Sequence, residues 1–209
     1  MQTIVYLIRH SKKLDKNLIE PILNDENYQL ATEKIILSVE GEKRAKKLSD
    51  LPELQDTDVI YSSNYVRAIQ TAKYLSEKKN LKINIDSRFN ERKGGIYKEK
   101  ISLKEYYKEN YKNPEGESPK EVRERTYCAF KDVVNKNKGK KIAIFSHGAA
   151  LTFLLTKWCK LENIGEDRRK TLSFNGNIIF DKIFDAPEVF KVVIDNEKIL
   201  SIENIKIEY

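Results

Sequence analysis

Only two histidines occur among 209 residues, and each stands directly after an apolar run: His10 in "IVYLIRHSKK" and His147 in "KIAIFSHGAAL". Three further polar clusters complete a set. Arg9 precedes His10, Ser62-Ser63 leads to Arg67 in "YSSNYVRAIQTA", and Glu91-Arg92 sits in "RFNERKGG". A lone histidine at a strand end is ordinarily a satisfied structural residue, and Arg67 alone reads as a surface helix charge. Together they supply the parts of phosphoryl transfer: a nucleophile, positive groups for the non-bridging oxygens and an acid for the leaving alcohol. A neutral imidazole can attack phosphorus and carry it as phosphohistidine. Nearby arginines favour that neutral form by lowering the histidine pKa, and their planar guanidinium groups grip phosphate oxygens in pairs. Glu91 can serve as the acid. Glu117 in "EGESPKE" competes for the role, although its place before a helix start also suits an N-terminal electrostatic role. With no HExxH, DxD-type pair or Cys/His ligand spacing, neither a metal nor another cofactor is expected.

These residues need a frame that brings them to one rim. "TIVYLI" (3–8), "DVIYSS", "KINID" and "KKIAIF" read as short strands, the first apolar on both faces as in a buried parallel sheet. Between them, "SVEGEKRAKKLSDL" repeats apolar residues at helical spacing at Val39, Ala45, Leu48 and Leu51, and "NYVRAIQTAKYLSEKK" does so with Val66, Ile69, Ala72 and Leu75 inward. Ser118-Pro119 opens a long helix through "KEVRERTYCAFKDVVNK", and "AALTFLLTKWC" is another helix. Residues 88–118 are irregular, with one short helix near 102–110. From Thr171 onward the chain alternates in strand-like pieces, turning at Asn196-Glu197. The fold class is therefore α/β, a mainly parallel sheet with helices on both faces. Ligands of such sheets bind beyond the carboxyl ends of the strands, where both histidines stand.

Composition narrows the partners. Lys and Arg number 39 against 32 Asp and Glu, a net charge of +7, but the charges are interleaved along the whole chain. Nucleic-acid binding rests on net charge alone and is not expected. No run approaches the length needed to span a bilayer, and "MQTIVYLIRH" lacks a cationic leader and cleavage site. Cys128 and Cys159 form no CxxC pair and read as reduced, buried thiols. The expectation is a cytoplasmic protein acting on a small phosphorylated substrate, without a membrane partner. The oligomeric state has no readable signal beyond a pairing edge on the last strands.

"LIRHS", "LSVEGEKRAKKL", "VIYSSNYVRAIQTA", "FNERKGG", "EGESPKEVRER" and "IAIFSHGAAL" resemble, in order, the segments of the histidine phosphatase superfamily, the phosphoglycerate-mutase-like enzymes. The resemblance spans residue 1 to about 160. The length and the lack of a domain boundary read as a single domain over 1–209, with a small cap around 92–117, and the resemblance implies a three-layer α/β/α sandwich. It further implies His10 as nucleophile, Arg9 and Arg67 as phosphate clamps, His147 as a hydrogen-bond donor to the phosphoryl oxygens, Glu91 as general acid and Arg92 as a substrate contact. Two departures stand out. Ser11 occupies the usual glycine position, so it either reshapes the turn or adds a hydroxyl contact to phosphate. Asn17 stands one place off the common asparagine spacing, as a weaker substrate-binding candidate beside Gly148.

The activity expected is metal-independent phosphomonoester hydrolysis through phosphohistidine. The alternatives are a mutase-type transfer using the same residues and a non-catalytic phospho-ligand binder. A serine hydrolase is excluded by the lack of a G-x-S-x-G elbow, and a P-loop enzyme by "NKGKKIAIF".

Overall fold

A computed structural model describes residues 1–15, 18, 28–96 and 101–208. The central sheet has the order β3 (Ile83–Ile85), β2 (Val59–Ser62), β4 (Lys141–Ser146), β1 (Thr3–Arg9), β8 (Glu188–Asp195), β9 (Lys198–Ile205). Strands β1, β2, β3 and β4 are mutually parallel, while β8 and β9 add an antiparallel edge. A separate antiparallel sheet holds β5 (Lys160–Ile164), β6 (Lys170–Phe174) and β7 (Asn177–Lys182).

The period-2 alternation of a strand explains the layers. Val5 and Leu7 of β1, with Ile142 and Ile144 of β4, join one core with Ala129, Phe130, Leu151 and Leu154. Those partners lie on α5 (Pro119–Lys136) and α6 (Gly148–Leu155). The intervening residues Tyr6, Ile8, Ala143 and Phe145 face the opposite core, with Leu48, Ala72 and Leu75 of α2 (Val39–Leu48) and α3 (Val66–Lys79). Two helices therefore cover each face, and the α/β/α sandwich stands. Each fully buried Ile or Leu in these cores contributes roughly 1.5–3 kcal/mol.

Local signals act as expected at several joints. Ser118 caps α5 in a capping box with Glu121, Pro119 opens the helix, and Asn196 and Glu197 turn β8 into β9 with positive φ. The short helix α4 covers Leu103–Tyr106, and α1 covers Tyr28–Lys34. Three expectations are corrected. Val39 is exposed, the buried face of α2 being Gly41, Ala45 and Leu48. Val66 and Ile69 are half-buried, the inner face of α3 being Arg67, Ala68, Thr71, Ala72 and Leu75. Cys128 is exposed, whereas Cys159 is buried. Strand β5 escaped the sequence reading because "KLENI" is mostly exposed and carries no apolar alternation.

Gly41 marks a tight contact behind the first histidine. A Cβ built there lies 1.9 Å from the Lys12 carbonyl oxygen. Gly41→Ala is expected to destabilise the fold by about 1–3 kcal/mol, read as a lower urea midpoint; an unchanged midpoint contradicts this packing.

Candidate active site

The parallel register lays the candidate residues side by side. Arg9 pairs with Ser146, and Ser62 with Phe145, so β1, β2 and β4 end level. The ladder continues one step further: His10 N–H donates to Ser146 O at 2.9 Å and Ser63 N–H to Phe145 O at 2.9 Å. His10 and His147 consequently face each other with ring centroids 5.2 Å apart.

Each ring is oriented by a partner. His10 Nδ1 lies 2.7 Å from the Ser11 carbonyl oxygen. A carbonyl only accepts, so Nδ1 carries the hydrogen and the neutral ring keeps its lone pair on Nε2. His147 Nε2 lies 2.7 Å from Ser63 Oγ, and Tyr65 packs edge-on against the ring at 4.7 Å. With the serine hydroxyl donating to Nε2, the ring proton sits on Nδ1. Burial, then the charges of Arg67 and Arg9, hold the His10 pKa well below the ordinary histidine value. Burial, Arg67 and His10 do the same to His147. Both imidazoles are neutral at physiological pH.

Around the rings stand two arginines, Arg67 buried and Arg9 half-buried. Arg9 donates from Nη1 to the carbonyl oxygens of Phe184 (2.7 Å) and Asp185 (2.9 Å). Arg67, in the first turn of α3, donates from Nη1 to Thr32 O at 2.7 Å, and its guanidinium lies 4.7 Å from the Tyr65 ring centre. Four buried side-chain polar atoms among the described residues lack a hydrogen-bond partner, and three belong to this cluster: Arg9 Nε, Arg67 Nε and His147 Nδ1. Leaving such groups unpaired costs about 1–3 kcal/mol each. Their concentration at one rim, beside a nucleophilic lone pair, suits a small polyoxygen anion.

Glu91 is held at the start of α6. Its Oε1 accepts from Arg92 N–H (2.9 Å) and Ala150 N–H (3.0 Å), and Oε2 from Ala149 N–H (3.3 Å). The loop bearing it is fixed by Ser146 Oγ, which donates to Phe89 O, and by Arg125, which donates to the carbonyls of Arg88, Asn90 and Glu91. Arg125 was missed because in "EVRER" it looks like one more solvated helix charge. Glu117 is engaged elsewhere: burial raises its pKa, but the hydrogen bonds and charge of Arg125 outweigh this and hold it low.

Several sequence candidates fall outside the anion cluster. Arg92 spends its guanidinium on the carbonyls of Glu117 (2.7 Å), Tyr106 (2.6 Å) and Tyr111 (2.8 Å), so it braces the 92–117 segment rather than facing a substrate. Ser11 is buried with its hydroxyl donating to Gly41 O at 2.7 Å, turned away from the histidine pair, and its φ is not positive. The turn has no need of glycine, and the close approach is made by Gly41 instead. Gly148 lines a cleft beside Arg9 and Glu91, where an added Cβ meets Arg9 Nε at 3.5 Å. Asn17 lies outside the described residues.

The model of the histidine phosphatase superfamily (branch 1) matches residues 5–176. A lipopolysaccharide core heptose(II)-phosphate phosphatase from Escherichia coli O1:K1 is 27% identical over 153 residues, covering 72% of this chain. The chain spans 56% of that relative's length. Among solved structures, mycobacterial glucosyl-3-phosphoglycerate phosphatase aligns with TM-score 0.66 at 16% identity, covering 92% of this chain and 91% of its own. A phosphoserine phosphatase variant from Entamoeba histolytica aligns with TM-score 0.63 at 16% identity, covering 96% of each chain. At these identities the solved structures establish the fold.

Because the chain has only two histidines, proton NMR reads both directly. Their C2–H resonances are expected to keep neutral-imidazole shifts as pH falls through 6.5. The unfolded chain binds protons there that the native chain does not, so stability is full above about pH 6.5 and declines below it. Titration of both native rings near pH 6.5 overturns the electrostatic description of the pair.

Proposed function

Since the chain belongs to the histidine phosphatase superfamily (branch 1), we propose that it hydrolyses phosphomonoesters through a phosphohistidine on His10. The observation that carries this reading is the pairing of a lone pair on His10 Nε2 with unpartnered, buried nitrogens on Arg9, Arg67 and His147. The three nitrogens receive the non-bridging oxygens as charge shifts onto them. Nε2 forms the N–P bond while the bond from phosphorus to the ester oxygen breaks. The departing oxygen takes a proton from Glu91, which faces the start of α6 and enters the step as the neutral carboxylic acid. Water then attacks phosphorus and returns a proton to Glu91; the N–P bond breaks, inorganic phosphate leaves and the imidazole is restored neutral. The low pKa values of both rings favour the first step, because a protonated His10 has no lone pair to offer.

The substrate is a small phosphorylated metabolite. Support for hydrolysis over mutase-type transfer comes from the relatives, whose names describe phosphatases. Incubation with a hydroxylated phospho-acid distinguishes them: free phosphate supports hydrolysis, and an isomerised ester overturns it.

His10→Ala is expected to reduce phosphate release to background and to abolish acid-labile labelling of the protein. Glu91→Gln is expected to slow hydrolysis of alkyl phosphates by about 10²–10⁴-fold, with a much smaller effect on nitrophenyl phosphate, whose leaving group needs no proton. Equal losses on both esters remove Glu91 from the acid role.

A further inference from the structure

Beside Arg9 and Glu91 opens a cleft of about 520 Å³, and another wall comes from the small antiparallel sheet and the turns flanking it. Lys170, at the start of β6, lines that wall and is only 7% exposed. A buried ammonium is costly unless paired. Yet Lys170 Nζ has no hydrogen bond or ion pair among the described residues; it rests 4.7 Å from the Phe184 ring centre and 5.8 Å from that of Tyr107. Asp185 and Glu188, on the adjoining loop and strand, are engaged by Lys182 at 3.0 and 3.1 Å. Arg168 also lines the cleft, and against these two cations and Arg9 the described lining offers one carboxylate, Glu91, whose oxygens face the amides of α6.

We infer that Lys170, with Arg168, forms a second anion subsite, so that the preferred substrate is a phosphomonoester bearing another anionic group, a carboxylate or second phosphate, at its far end. This rests on the phosphatase reading and extends it. Arg9 connects the two subsites: it lines the cleft, and its charge acts on both His10 and Lys170. Burial, followed by Arg9, pushes the Lys170 pKa down to about 8, which leaves the group mostly protonated at neutral pH. Glu91 opposes the shift from a distance, and an incoming anion supplies the directly paired counter-charge that Lys170 lacks among the described residues. The aromatic rings of Phe184 and Tyr107 keep the ammonium in place without neutralising it.

The test uses the full chain with phenyl phosphate, 4-carboxyphenyl phosphate and benzene-1,4-diyl bisphosphate, measuring phosphate release. For the wild type, kcat/KM is expected to favour the two doubly anionic esters. In Lys170→Met the ratio of kcat/KM for each of them to that for phenyl phosphate falls about tenfold or more, mainly through KM; in Arg168→Gln it falls by less. A fall confined to one arm tells carboxylate from phosphate. A purely structural lysine lowers activity on all three esters together and leaves the ratios unchanged, which overturns the inference, as does a wild type without preference. Wild-type protein that hydrolyses none of the three, matching His10→Ala, defeats the phosphatase reading and the subsite with it.

Discussion

The in-phase parallel pairing of β1 with β4 and of β4 with β2 is the constraint on which everything else depends. Because Arg9 stands opposite Ser146 and Ser62 opposite Phe145, the next residue on each strand emerges at the same height. A slip of one residue turns every side chain of a strand to its other face. Such a slip in β1 removes His10 from the rim and drives Val5 and Leu7 out of their core. The burial that stabilises the sheet therefore also sets the distance between the imidazoles, and core packing and site geometry cannot vary independently.

That coupling explains how the fold tolerates so much unfavourable electrostatics. One guanidinium group and two imidazoles are taken out of water beside a half-buried Arg9, and three nitrogens of the cluster remain unpaired. The supports come from separate elements: Arg9 is held by the loop before β8, Arg67 by α1, His147 by Ser63 after β2, and the Glu91 loop by Arg125 of α5. No single support is strong, but they are independent, and the apolar layers above and below absorb the cost. The result is a preorganised set of donors that need not reorient when charge arrives.

Much of this was legible from residue order. The apolar strands, the helix patterns, the Ser118 cap and the placement of both histidines on one rim follow from periodicity and turn chemistry. The roles of Arg92 and Ser11 were not, because a guanidinium that braces carbonyls and one that faces a ligand look identical in sequence. Lys170 and Arg125 were equally silent: one is a strand lysine and the other a helix arginine until tertiary packing buries them. Strand β5 lacked an apolar alternation altogether, its pairing with β6 being a backbone matter.

The bond from Arg9 to the carbonyls of Phe184 and Asp185 crosses 175 and 176 positions of sequence. Its consequence is one of timing during synthesis. The histidine pair can meet once β4 has left the ribosome, but the first arginine finds its anchor only when the loop before β8 emerges. Strand β8 also covers the open edge of β1, so the rim is complete only once β8 has emerged. A growing polypeptide thus holds an unfinished version of its own centre until Phe184 and Asp185 have been made.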